Sequence, residues 1–222
     1  MPLAMHSARL SVASARRFAW RHPEWWSVAL SIAAWIALLS TPRHSLSHRT
    51  TAANLSSWFL MVVAMMFPLV IGQVRQTAFH SLWSRRHRAI GLFLTGYVVP
   101  WLACGALVIL IQDELPVDAR AAAIIAIAIA VAWQVSPPKR RALRNCHRVM
   151  PLAPRGWRAS WSCVRFGGQI GAACVCTCWA LMLVCTASDH TALTMGFATM
   201  VALHERTGIA MTPRVSHATR PG

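Results

Sequence analysis

Charge is scarce in this chain. Of its 222 residues, 13% are charged and only six are acidic, whereas a soluble domain carries about a quarter charged residues. The charges sit in islands, and the apolar runs between them hold no Asp, Glu, Lys, Arg or His away from their ends. That lack disfavours proton pumping through carboxylates, which needs ionisable groups within the spans. Catalytic signatures are missing as well. No Ser/His/Asp order, phosphate loop or dinucleotide fingerprint occurs, and His204-Glu205 is no zinc-protease motif because Gly208 stands where the second histidine belongs. No internal repeat, Gly/Ser linker or low-complexity tract divides the sequence, so it reads as one membrane domain. After "SARRFAW" there is no short apolar core with a small-residue cleavage site. The first apolar run therefore reads as an uncleaved signal anchor.

What is present is apolar sequence. Hydrophobic residues make up 56% and the mean hydropathy is +0.45. Runs occur at Trp25–Thr41, Leu55–Gln73, Ile90–Gln112, Ala121–Ser136, Gly167–Ala187 and Thr191–Leu203. A bilayer core of about 30 Å takes roughly 20 helical residues, and lipid leaves helices as the plausible spanning form because it offers free backbone groups no partner. The expectation is an all-α polytopic bundle with six spans, near 25–41, 55–73, 90–112, 120–136, 167–187 and 190–206. A basic segment, 1–24, precedes them, a basic loop covers 137–166, and a tail follows over 207–222. The fourth and sixth spans are short and must borrow polar flanks.

The formal net charge of +16 is distributed unevenly. With six spans, 19 of the 22 basic residues fall on one side, and only Arg43, Arg49 and Arg120 on the other. That other side also receives Asp113, Glu114, Asp118 and Asp189. This is the positive-inside pattern, with both termini in the cytoplasm and the basic loops against anionic lipid headgroups. Nucleic acid is the poorer partner, since no basic module interleaved with aromatics appears.

Two sulfur-rich stretches carry the possible chemistry. Residues 59–68 read "FLMVVAMMFP". Met61 and Met65 share a helix face and Met66 lies about 100° further round. Pro68 cannot donate to the carbonyl of Ala64, which predicts a kink there and a freed oxygen for a neighbour, a water or an ion to satisfy. Residues 174–185 read "CVCTCWALMLVC". Cys174, Cys178, Leu181, Met182 and Cys185 fall along one helical stripe, while Cys176 projects about 200° from Cys174 at 100° per residue. Thioethers and thiolates select Cu(I) over Mg(II) or Ca(II). The competing reading is packing, because methionine adapts to irregular cores and cysteine behaves as a small hydrophobe. Cys104 reads as packing, and Gly91, Gly96, Gly105, Gly167, Gly168, Gly171 and Gly196 read as sites of close helix approach.

"WFLMVVAMMFP", "WQVSPPKRRALRNCHR" and "GAACVCTCWALM" leading to "LHER" together resemble a bacterial family of predicted metal-binding integral membrane proteins. The likeness runs from about residue 58 to 206, and it is the combination of motifs that is specific. Met61, Met65, Met66, Pro68, Gln134, Pro137, Lys139, Cys146, Cys174, Cys178, Trp179, Met182, Met195 and Glu205 stand at its pattern positions. The resemblance implies a metal-binding membrane protein of the bacterial inner membrane. The chain departs from the pattern in three places. Ala142 replaces the first cysteine of a loop pair, leaving Cys146 alone. Thr177 interrupts an adjacent cysteine pair, and His190-Thr191 replaces Met-Asn. If the loop cysteines of relatives bind metal, half of that site is left here, with His147 or His44 as substitutes.

The leading expectation is a buried soft-metal site of Met61, Met65, Met66, Cys174, Cys178 and Met182, formed where the second and fifth spans face each other. It would hold Cu(I) for storage, passage or delivery, with a membrane or extracytoplasmic metalloprotein as partner and no catalysis on an organic substrate. His44, His48, Cys146, His147 and His190 are weaker metal candidates, and His204-Glu205 reads as capping the last helix. Two alternatives stay open. One is a structural or assembly partner of a membrane complex whose sulfur stripes only pack. The other is a thiol-redox enzyme using Cys174 and Cys178, although apolar burial blunts thiol reactivity.

Overall fold

The first described helix, α1 (Trp25–Ser40), is apolar along its whole length. The computed structural model describes residues 22–40, 51–81, 85–114, 117–146 and 156–211. Over these residues the chain is all-α, with eight helices. After α1 come α2 (Thr51–Met66), a 3₁₀ turn (Pro68–Val70) and α3 (Ile71–His80). There follow α4 (Arg86–Glu114), α5 (Ala119–Gln134), α6 (Pro137–Asn145), α7 (Gly156–Ala187) and α8 (Ala192–Met211).

Pro68 acts as its chemistry requires. The chain bends by 45° between Thr51–Met66 and Pro68–His80. The carbonyl freed at Ala64 is satisfied by α1, accepting from Ser31 Oγ at 2.7 Å and from Trp35 Nε1 at 3.1 Å. A neighbouring helix, rather than an ion, closes that gap. A second bend, of 71°, separates α5 from α6. Asp118 caps α5 by accepting from the amides of Arg120 and Ala121. Ser136 then caps α6, with Pro137 in the first turn, where a missing amide hydrogen costs nothing. The 137–166 loop read from the sequence is therefore helical at both ends: α6 occupies its start, and α7 begins at Gly156.

α4 and α7 form the most extensive helix pair, and α2 packs on α1 and α4. Bare glycine Cα atoms make the α4–α7 approach possible. A Cβ at Gly96 would run into the backbone of Val164, one at Gly167 into Phe93 and one at Gly171 into Tyr97. Gly105 likewise leaves room for the ring of Trp58, whose Nε1 donates to the Trp101 carbonyl at 2.8 Å. Gly91 and Gly196 meet nothing within 4 Å, so the close-packing role expected of them is not theirs.

α4 and α7 are each long and apolar enough to cross a membrane, and α2 with α3 and α5 with α6 qualify as bent pairs, which gives two to four candidate spans. α1 is apolar but has only 16 residues. Large apolar side chains face outward around the bundle, among them Ile32, Ile36, Leu107, Ile124, Ile127 and Val131. An exterior of that kind marks a surface made for something other than water. This is a membrane protein, and the sulfurs of α2 and α7 lie in its core, Cys176 excepted.

Candidate metal centre

The helical period of α7 buries Cys174, Cys178, Leu181, Met182 and Cys185 and leaves Cys176 exposed, as its projection predicts. From α2, Met61, Met65 and Met66 are all at most 1% exposed. None of the three faces lipid. The last turn of α2 brings Met66 Sδ to 3.9 Å from Cys174 Sγ, with the thiol as donor. Cys178 stands one helical turn from Cys174 on the same buried face of α7. Met195 enters the same core from α8. α2 and α7 thus meet at this turn, while the largest interface of the bundle belongs to α4 and α7.

Tyr97 and Thr177 complete the surroundings of the thiols. Tyr97, the only tyrosine of the chain, is fully buried and donates its hydroxyl to Cys174 Sγ at 3.1 Å. Its ring stacks on Phe93, with centroids 6.3 Å apart, which fixes the direction of the hydroxyl. Thr177, which stands where the family pattern has a cysteine, donates to the Cys174 carbonyl at 2.8 Å and lies 3.4 Å from Cys178 Sγ. A hydroxyl has taken a place beside the cluster instead of a third thiol.

Cys146, one of the weaker candidates, is fully buried at the end of α6. Its carbonyl accepts from Gln73 Nε2 at 3.1 Å, and its thiol lies near Thr177 and Arg206. His190 sits elsewhere, in the α7–α8 turn, where it and Asp189 both adopt positive φ. There it lines a cavity of about 170 Å³ together with Asn54, Ser57, Gln112 and Asp189. His44, His48 and His147 fall outside the described residues.

His204-Glu205 does not cap α8, which runs on to Met211. His204 is exposed, and Glu205 turns inward. Its Oε1 accepts from Lys139 Nζ and from Gln134 Nε2, both at 2.6 Å, while Lys139 Nζ also donates to Gln134 Oε1. Gln134 and Lys139 stand at positions of the family pattern with no role readable from the sequence, and Glu205 joins them instead of capping the helix. They are a buried polar clamp tying α5, α6 and α8 together.

Among the described residues, no three His, Cys, Asp or Glu side chains gather closely enough to hold a metal ion. A zinc-type site of imidazoles, thiolates and carboxylates is not assembled there. The core offers thiols and thioethers, a donor set that suits soft ions.

The sequence model of the family described as "PpoB2: Copper chaperone" matches residues 55–219. No curated protein and no solved structure matches the chain significantly.

Proposed function

We propose, from the premise that the chain belongs to the PpoB2 copper chaperone family, that it holds copper as Cu(I) on Cys174, Cys178 and Met66 and delivers it to a membrane or extracytoplasmic copper protein. The observation that supports this most is the meeting of Met66 Sδ and Cys174 Sγ at 3.9 Å, with Cys178 alongside, in a core closed to water. Two thiolates give the ion firm hold, and a neutral thioether adds a weaker soft donor. Met61, Met65 and Met182, buried in the same core, extend the donor set along the bundle, so the ion can change partners without meeting solvent. Carrying an ion requires no nucleophile and no acid–base pair, in keeping with the non-catalytic role that the family description implies.

The rest of the reading follows the sequence. The bundle crosses the bacterial inner membrane six times, its basic loops lie on the cytoplasmic side against anionic headgroups, and His190 with Asp189 receives or releases copper at the opposite end. Cys146, close to Arg206 and Thr177, is a reserve ligand at the inner end.

The test is the copper content of protein purified in detergent from copper-supplemented cells, measured per chain by elemental mass spectrometry. Wild type is expected to carry near-stoichiometric copper, and a Cys174→Ser/Cys178→Ser variant none. A Cys104→Ser/Cys176→Ser control, altered outside the buried stripe, should keep it. Monodisperse, folded wild-type protein without copper would overturn the proposal.

A further inference from the structure

Arg206 sits where a cation is expensive. It is 7% exposed, and arginine cannot shed its proton to escape burial. Nη1 donates to the carbonyl of Leu69 in the 3₁₀ turn that follows Met66 and Phe67. Nη2 is buried without a hydrogen bond to nitrogen or oxygen. The ion pairs among the described residues are His22–Glu24, Arg75–Glu24 and Lys139–Glu205. The neighbouring carboxylate is thus committed to Lys139, that pair is neutral as a unit, and no described carboxylate answers Arg206. The ionisable groups around it are Cys174, Tyr97, Cys146 and Cys178. Its surroundings are thiols and a phenol, with no carboxylate among them.

A buried charge without a counter-charge is strongly unfavourable, so the charge of the bound complex matters. Metal binding removes the thiol protons. Two thiolates with a monovalent ion carry a net charge of −1, which the guanidinium cancels. Two thiolates with a divalent ion are neutral, and the guanidinium stays uncompensated in an apolar core. We propose that Arg206 selects the charge of the ion, favouring a bis-thiolate complex of a monovalent soft cation over that of an equally soft divalent one. This rests on the Cys174/Cys178 reading above and adds a residue that no thiol or thioether motif contains. Donor softness alone does not separate Ag(I) from Cd(II) by charge, whereas a fixed positive neighbour does.

The experiment titrates detergent-purified full-length protein with Ag(I) and, separately, with Cd(II), following thiolate-to-metal absorption in the ultraviolet under competition with dithiothreitol. The readout is the ratio of the two affinities. Wild type should favour Ag(I) over Cd(II) more than dithiothreitol itself does. Arg206→Gln should lower the ratio by on the order of 10- to 100-fold, the scale of a lost charge contact in a partly screened interior. Arg206→Lys, which keeps the charge, should stay near wild type. An unchanged ratio in Arg206→Gln with both ions still bound would overturn charge selection and leave the copper site standing. Should the glutamine variant not fold, a wild-type ratio no higher than that of dithiothreitol overturns it in the same way. Wild type that binds neither ion would sink the copper site and this inference together.

Discussion

Leucine at Gly167 or Gly171 is expected to cost the bundle about 3 kcal/mol or more, because the obstacle is backbone rather than a side chain able to move aside. At both positions the added Cβ runs into a carbonyl of α4, that of Phe93 or of Tyr97. Relief requires α4 and α7 to separate along the largest helix interface in the molecule. For a chain of this size, the loss should lower the midpoint of a thermal melt by roughly 6–12 °C. Intrinsic tryptophan fluorescence reports it readily, as there are 11 tryptophans. The same change at Gly91 or Gly196, where no atom lies within 4 Å, should leave the midpoint unchanged or raise it slightly through better helix propensity. Equal melting of all four variants would mean that α4 and α7 do not touch in this way. The damage also extends to the sulfur cluster, because Tyr97 is at once the residue packed against Gly171 and the donor to Cys174.

The second large effect belongs to the clamp at the other end of the core. Lys139→Met should destabilise the protein by about 3 kcal/mol, since breaking one partner of a buried pair leaves the other charge uncompensated. The lysine side chain is 1% exposed and that of Glu205 is 19% exposed, so water relieves part of the penalty on the acid, and the lower end of the usual range applies. Lys139→Met/Glu205→Leu should recover most of the loss, because an apolar pair of similar volume replaces both charges. Unfolding in denaturant, run as a double-mutant cycle, gives the coupling directly. Single variants as stable as wild type, or a double variant worse than the sum of the two, would show that the three side chains do not act as a unit. In either case Arg206 keeps its charge, so this cycle is independent of ion selection.

The parts of the fold written into local periodicity were legible in the sequence. The α7 stripe follows from spacings of three and four residues, and the kink follows from Pro68 alone. The positions of Met61, Met65 and Met66 inside the bundle follow from their helix face once a partner is assumed. What the sequence could not give was the partner of each freed or polar group. Ser31 and Trp35 lie 33 and 29 residues from the carbonyl they satisfy, and Tyr97 lies 77 from its thiol. No spacing rule links them. Glu205 and Arg206 are adjacent, yet one closes a clamp with Lys139 while the other faces thiols. That division depends on side-chain direction in a packed core. The start of α6 was a missed opportunity: Ser136 followed by Pro137 is a helix-start signal, hidden by the charge of the segment that follows.

Peroxides convert methionine thioethers to sulfoxides, and damage follows exposure. Met200 is 67% exposed on the outside of the bundle, whereas Met61, Met65, Met66, Met182 and Met195 are at most 1% exposed. Brief peroxide treatment followed by peptide mass spectrometry should therefore mark Met200 well before any of those five. A copper carrier works beside a metal that generates reactive oxygen species. On the proposed reading, the packing that would present these sulfurs to an ion also shields them from the damage the ion provokes, so the site would age more slowly than the surface of the protein that holds it.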